Sequence, residues 1–188
     1  MGLLSGTFTA NAQTVTISTE GVTDWASWGF IPEDCATPGM NSKSGAAIEI
    51  STITEIGGTS NMDCSTSGVT NPPHSLTWTG GTPEPTATSE TAYVYTGHAS
   101  STGVGFEFTA PADTTTRKLR IYVGLYRNAQ GKMHVTLSDA SASAYNDTSF
   151  TGTVAVNTWG YYEITYAAAS AGQTITVQWT LNTNPGQV

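Results

Sequence analysis

Leu119, Ile121, Val123 and Leu125 alternate with Lys118, Arg120, Tyr122 and Gly124, and after Asn128–Gly131 the same rhythm returns in Met133, Val135 and Leu137. A period of two belongs to a strand with one face in a core and one face outside it. With NAQG between the runs, the pattern predicts a hairpin and places Arg120, Tyr122 and Tyr126 beside Lys132 and His134 on its outward side. Phe106 and Phe108 mark a preceding strand, Ile175, Val177, Trp179 and Leu181 mark the last one, and residues 3–9 and 12–18 read as two early strands. AAIEI (46–50) and ITEI (53–56) read as a short β pair between loops at 31–44 and 57–73. About ten to twelve short strands with turns between them predict one all-β domain over residues 1–188, an antiparallel β-sandwich of jelly-roll type. The strands within 1–19 are candidates for attachment or assembly.

Composition agrees with that class. About a quarter of the 188 residues are Ser or Thr, only 11% are charged, and 20 are Gly, which favours strands and turns. The net charge of −8 repels phosphate backbones and excludes nucleic acid as an expected partner. All of the acidic excess lies before residue 95. The bases Arg117, Lys118, Arg120, Arg127 and Lys132 cluster around the predicted hairpin and make one end basic. No window resembles a membrane span, and no basic residue precedes Lys43, so neither membrane insertion nor export by a classical signal peptide is expected.

Candidate chemistry is sparse. His74, His98 and His134 lie far apart and lack zinc-site spacing, and no GxSxG elbow occurs. Glu107 and Glu163 are the strand carboxylates that a glycosidase pair would use, and also fit a role as solvated strand positions. No catalytic residues are assigned and no enzyme is expected. Glu33, Asp34 and Asp63 are candidate calcium ligands together with loop carbonyls; no other cofactor is indicated. Cys35 and Cys64 either form a bridge closing a loop of about 30 residues or remain two reduced thiols. Trp25 and Trp28 serve either as a sugar-stacking platform, since an indole face complements the CH face of a pyranose, or as core plugs. Arg120, Tyr122, Tyr126, Lys132 and His134 form either a contact surface, Arg and aromatics being enriched at binding hot spots, or a sheet face covered by a neighbouring loop.

Four stretches, EGVTDWASWG (20–29), SLTWTGGTP (75–83), GFEFTAPADTTTRKLRIYVG (105–124) and YAAASAGQTITV (166–177), resemble a β-sandwich module that recurs in bacterial surface proteins and carbohydrate-active multidomain proteins. The resemblance implies an all-β fold and a non-catalytic, often carbohydrate-associated role. The opening, SGTFTANAQ (5–13), resembles the start of small structural proteins of tailed-phage virions. Together these imply a structural or interaction protein: an accessory or decoration protein on the virion surface, bound to capsid or tail subunits, self-associating, and adhesive toward cell-surface glycan. The alternative is an extracellular carbohydrate-binding module.

Overall fold

The computed structural model describes residues 1–29, 39–46, 49–57, 62–65, 74–96, 102–154 and 156–183. The chain begins with β1 (Leu3–Thr9), β2 (Thr14–Thr16), the single helical turn α1 (Ile17–Glu20) and β3 (Ala26–Trp28). Short strands follow: β4 (Met40–Lys43), β5 (Thr54–Ile56), β6 (Met62–Ser65), β7 (Ser75–Thr79), β8 (Gly81–Thr82), β9 (Thr86–Glu90) and β10 (Tyr93–Thr96). The C-terminal half holds the longer ones: β11 (Gly105–Ala112), β12 (Arg117–Leu125), β13 (Gln130–Leu137), β14 (Tyr145–Asp147), β15 (Thr158–Ala167) and β16 (Gln173–Thr183).

The fold is all-β and sandwich-like. One layer has the order β1-β15-β12 and the other β14-β13-β16-β11-β5. Their inward rows, Ile121, Val123, Leu125, Tyr162 and Ile164 from the first and Phe108, Met133, Val135, Ile175 and Val177 from the second, form one buried cluster. Such burial of both inner faces is what lets two half-apolar sheets persist in water. Successive strands from β11 to β13 change layer at each step, as jelly-roll connections do.

Two local expectations are corrected. β12 and β13 do not pair: β12 lies along β15 in a nine-residue register, and β13 lies along β16 in the opposite layer. The Tyr126–Ala129 turn, with Arg127 at φ 50° and Ala129 N–H donating to Tyr126 O, carries the chain across the core. Two amphipathic strands bury their apolar rows equally well side by side or face to face. Here the long strands β15 and β16 supply the hydrogen-bonding edges. The expected pair at 46–56 is also absent: Thr54–Ile56 pairs with Gly105–Glu107 instead, Glu49 and Ile50 lie outside any strand, and residues 47 and 48 lie outside the described residues.

The N-terminal half builds a smaller cap from β2-β7-β9 and β3-β4-β8. The β2–β7 pairing is parallel, so the architecture is not wholly antiparallel. The cap has its own core of Val15, Ile17, Trp25 and Trp78, against which Tyr122 of the sandwich packs.

Candidate functional site

Alternation fixes what the β12–β15 pair shows to the cap. The inward row takes Ile121, Val123, Tyr162 and Ile164, so Lys118, Arg120 and Tyr122 share the opposite face with Trp159, Tyr161 and Glu163, with Arg120 directly across from Glu163. Arg120 donates to Glu163 at 3.0 Å and to Glu20 at 2.7 Å, Lys118 bonds the other Glu163 oxygen at 2.9 Å, and the Tyr122 hydroxyl donates to Glu20 at 2.8 Å. The Lys118 and Arg120 bonds hold the Glu163 carboxyl below its ordinary range. Burial, reinforced by the Glu20 carboxylate, pushes the Tyr122 hydroxyl up.

Of the two readings of the basic aromatic face, Arg120 and Tyr122 take the one in which the chain covers itself. Tyr122 is covered by the chain's own α1 and by His74, whose ring lies 4.8 Å away. The acid complementary to Arg120 comes from Glu20 of the same chain. Lys132 and His134 sit on the outer face of the other layer, where His134 Nδ1 bonds Asn146 Oδ1 at 2.8 Å. Because β12 and β13 belong to different sheets, the five residues cannot form one face. Tyr126, at the end of the crossing turn, is exposed under the Arg127 guanidinium.

His74 pins the cap to the sandwich. Its Nδ1 accepts from Gln13 N–H at 3.0 Å, which leaves the proton on Nε2 to donate to Gly160 O at 2.9 Å. Burial lowers its pKa from 6.5, outweighing the carbonyl contacts that raise it. The unfolded chain therefore binds a proton first as pH falls, so this stability is complete above 6.5 and is lost below it. We expect the urea midpoint to drop on acidification through that range, and His74→Gln, which keeps an N–H for Gly160, to flatten the drop. An unchanged pH profile in the variant would reject this assignment.

Between cap and sandwich lies a cleft of about 1000 Å³, lined mainly by apolar and aromatic side chains, among them Trp25, Trp28, Tyr93, Leu119, Tyr122 and Trp159. Tyr93 meets Trp159 edge-on at 5.2 Å. Trp25 and Trp28 do not form one flat platform. Trp25 is 4% exposed and tilts against Trp78, whereas Trp28 is half-buried and packs on Phe108 of the larger core. Both indole Nε1–H groups are buried without a hydrogen-bond partner. Asp24, also on the wall, spends its two carboxylate oxygens on the N–H groups of Trp25 and Ile50, and burial raises its pKa despite them.

The other candidates are dispersed. Glu107 accepts from Gln178 at 2.6 Å on the outer face of the layer containing β11, while Glu163 faces the cap from the other layer. The two carboxylates thus lie on opposite sides of the sandwich and cannot flank one glycosidic bond. Asp63 accepts from the Tyr95 hydroxyl and from Cys64 N–H; Glu33, Asp34 and His98 lie outside the described residues. Among the described residues no three His, Cys, Asp or Glu side chains are placed to hold a metal ion. Cys64 is disulfide-bonded; Cys35, the chain's other cysteine, lies outside the described residues. No helix among the described residues is long and apolar enough to cross a membrane. Sequence reasoning missed Glu20, His74, Tyr93 and the cleft-facing role of Trp159, although the outward parity of Trp159, Tyr161 and Glu163 against Tyr162 and Ile164 was there to be read. Comparison with family models, curated proteins and solved structures gives no match.

Proposed function

We propose that the chain is a non-catalytic binding protein that takes a saccharide in the cleft between cap and sandwich and works outside the reducing cytoplasm, as an extracellular carbohydrate-binding module does. The observation that carries this reading is that two residues lining the aromatic cleft, Trp25 and Trp28, each keep a buried, unbonded indole N–H. A buried donor without a partner costs about 1–3 kcal/mol, and a ligand that offers hydroxyl oxygens along with an apolar ring face relieves that cost while covering the aromatics. Saccharides have that chemistry. The disulfide at Cys64 supports an oxidising location. The virion-accessory reading is favoured by a different feature, the uncharged edge strand β1, and it changes where the molecule is anchored rather than what the cleft accepts.

The test is titration of soluble oligosaccharides and polysaccharides into the protein, followed by tryptophan fluorescence and calorimetry. Trp28→Phe keeps an aromatic ring against Phe108 but removes the N–H. It is expected to weaken saccharide binding about tenfold, the equivalent of one hydrogen bond, with the melting temperature nearly unchanged. Absence of binding across neutral, acidic and amino sugars, or equal binding by the variant, would remove the saccharide from the cleft.

A further inference from the structure

β1 ends its sheet, and among the described residues no strand lies on its outer side. An open edge is a template for pairing, and proteins ordinarily protect one with charge, proline, a bulge or short length. The other edges of the two main sheets follow that rule. β12 carries Arg117, Lys118 and Arg120, β14 is three residues long and ends in Asp147, and β5 is three residues long with a central Glu55. β1, LLSGTFT, has none of these guards, and its seven-residue register with β15 is unbroken.

We propose that β1 is an assembly edge, and that two copies of this chain join through antiparallel β1–β1 pairing centred on Gly6. The occupant is a second copy because the strand is complementary to itself. Pairing about Gly6 sets Leu4 against Phe8 on the half-buried side, and Ser5 against Thr7 and Leu3 against Thr9 on the exposed side. Each contact occurs twice, as an isologous interface requires. Apolar pairs and Ser–Thr pairs of this kind stabilise cross-strand contacts. Phe8 is already held by Phe150 at 4.4 Å and Tyr162 at 4.9 Å, so the core side of the edge is preorganised. The product is a continuous six-stranded sheet. Its ends are the β12 edges, whose ion-paired Arg117, Lys118 and Arg120 guard against further pairing. The joining strands are uncharged while each chain carries −8, so the copies repel at long range, and salt should tighten their association by screening.

Analytical ultracentrifugation of the full chain across concentration and salt tests this. The native chain is expected to show a monomer–dimer equilibrium that shifts toward dimer as salt rises. Ser5→Lys combined with Thr7→Lys sets lysines on exposed positions against one another across the axis. It should raise the dissociation constant at least about tenfold while leaving the thermal melt of the monomer unchanged. Register is read separately by mixing Ser5→Cys with Thr7→Cys chains: oxidation should cross-link the mixture more readily than either variant alone. A native chain that stays monomeric throughout, a dimer untouched by the lysines, one that loosens with salt, or a mixture that links no better than its parts would overturn the proposal. These results do not depend on what the cleft binds.

Discussion

Trp78→Ala is expected to destabilise the cap by about 4 kcal/mol and to abolish the cleft while leaving the sandwich folded. Trp78 is fully buried, and its ring lies 5.7 Å from Trp25. Among the described residues the smaller core has four buried members, Trp78 included, and the sandwich cluster seventeen. Among the described residues only Leu76, Ala87 and Tyr122 pack around so small a cluster, so few side chains can collapse into the space an indole leaves and the cavity cost adds to the lost transfer energy. Trp78 also donates its indole N–H to Glu84 O at 3.1 Å. The Asn41 side chain, itself fully buried, donates to the same oxygen at 3.2 Å and accepts from Glu84 N–H at 2.9 Å. Glu84 therefore keeps partners in the variant, and the loss comes mainly from packing. Hydrogen exchange should show amides of β7 and β9 exposed and those of β13 and β16 still protected. Trp78→Phe should lose much less. Simultaneous exposure of both sets would mean that cap and sandwich unfold as one unit.

The two halves of the chain were not equally readable, and this prediction concerns the less readable one. Strands β11, β12, β13 and β16 have eight to eleven residues with strict alternation, long enough for period two to stand out and to say which side chains face the core. Periodicity carries no information on partner choice, so the expected hairpin became a crossing between layers and separated Arg120 from Lys132. The cap's strands have two to five residues, too few to establish a period. Its place over the sandwich depends on contacts between distant residues: Tyr122 with Glu20, 102 positions apart, and His74 with Gly160, 86 apart. The outward identity of Arg120 and Tyr122 was therefore legible, and the intramolecular acid that satisfies them was not. Trp25 and Trp28 stood out by type. That both residues line one cleft with Trp159 and Tyr93 depends on where those two rings come to rest in the fold.

Gly105→Ala is expected to cost about 3 kcal/mol, and the reason lies in the space around the residue rather than in its dihedral angles. Gly105 lies opposite Thr180 of β16 and Ile56 of β5, flanked on both sides within the sheet. A Cβ there would stand 2.0 Å from the carbonyl oxygen of Trp179 and 2.6 Å from the Cα of Thr180. Both are backbone atoms, so relief requires β11 and β16 to separate. That strains ladder hydrogen bonds in the middle of the larger sheet. Gly131, across β16 on β13, offers the control. Its added methyl would meet the Trp179 ring, 1.8 Å from Cη2, and a partly exposed ring edge yields more cheaply than a strand even though it packs on Phe150 and Tyr162. The two substitutions should therefore respond differently to Trp179→Leu. Shortening that side chain should rescue most of the Gly131→Ala loss and almost none of the Gly105→Ala loss, a coupling that a double-mutant cycle measures directly. Equal rescue of both would show that side-chain crowding, and not backbone separation, limits the position. Gly105 also lines the cleft along with Val104 and Phe106, so a displaced β11 should weaken saccharide binding in the same variant in which it lowers the melting temperature.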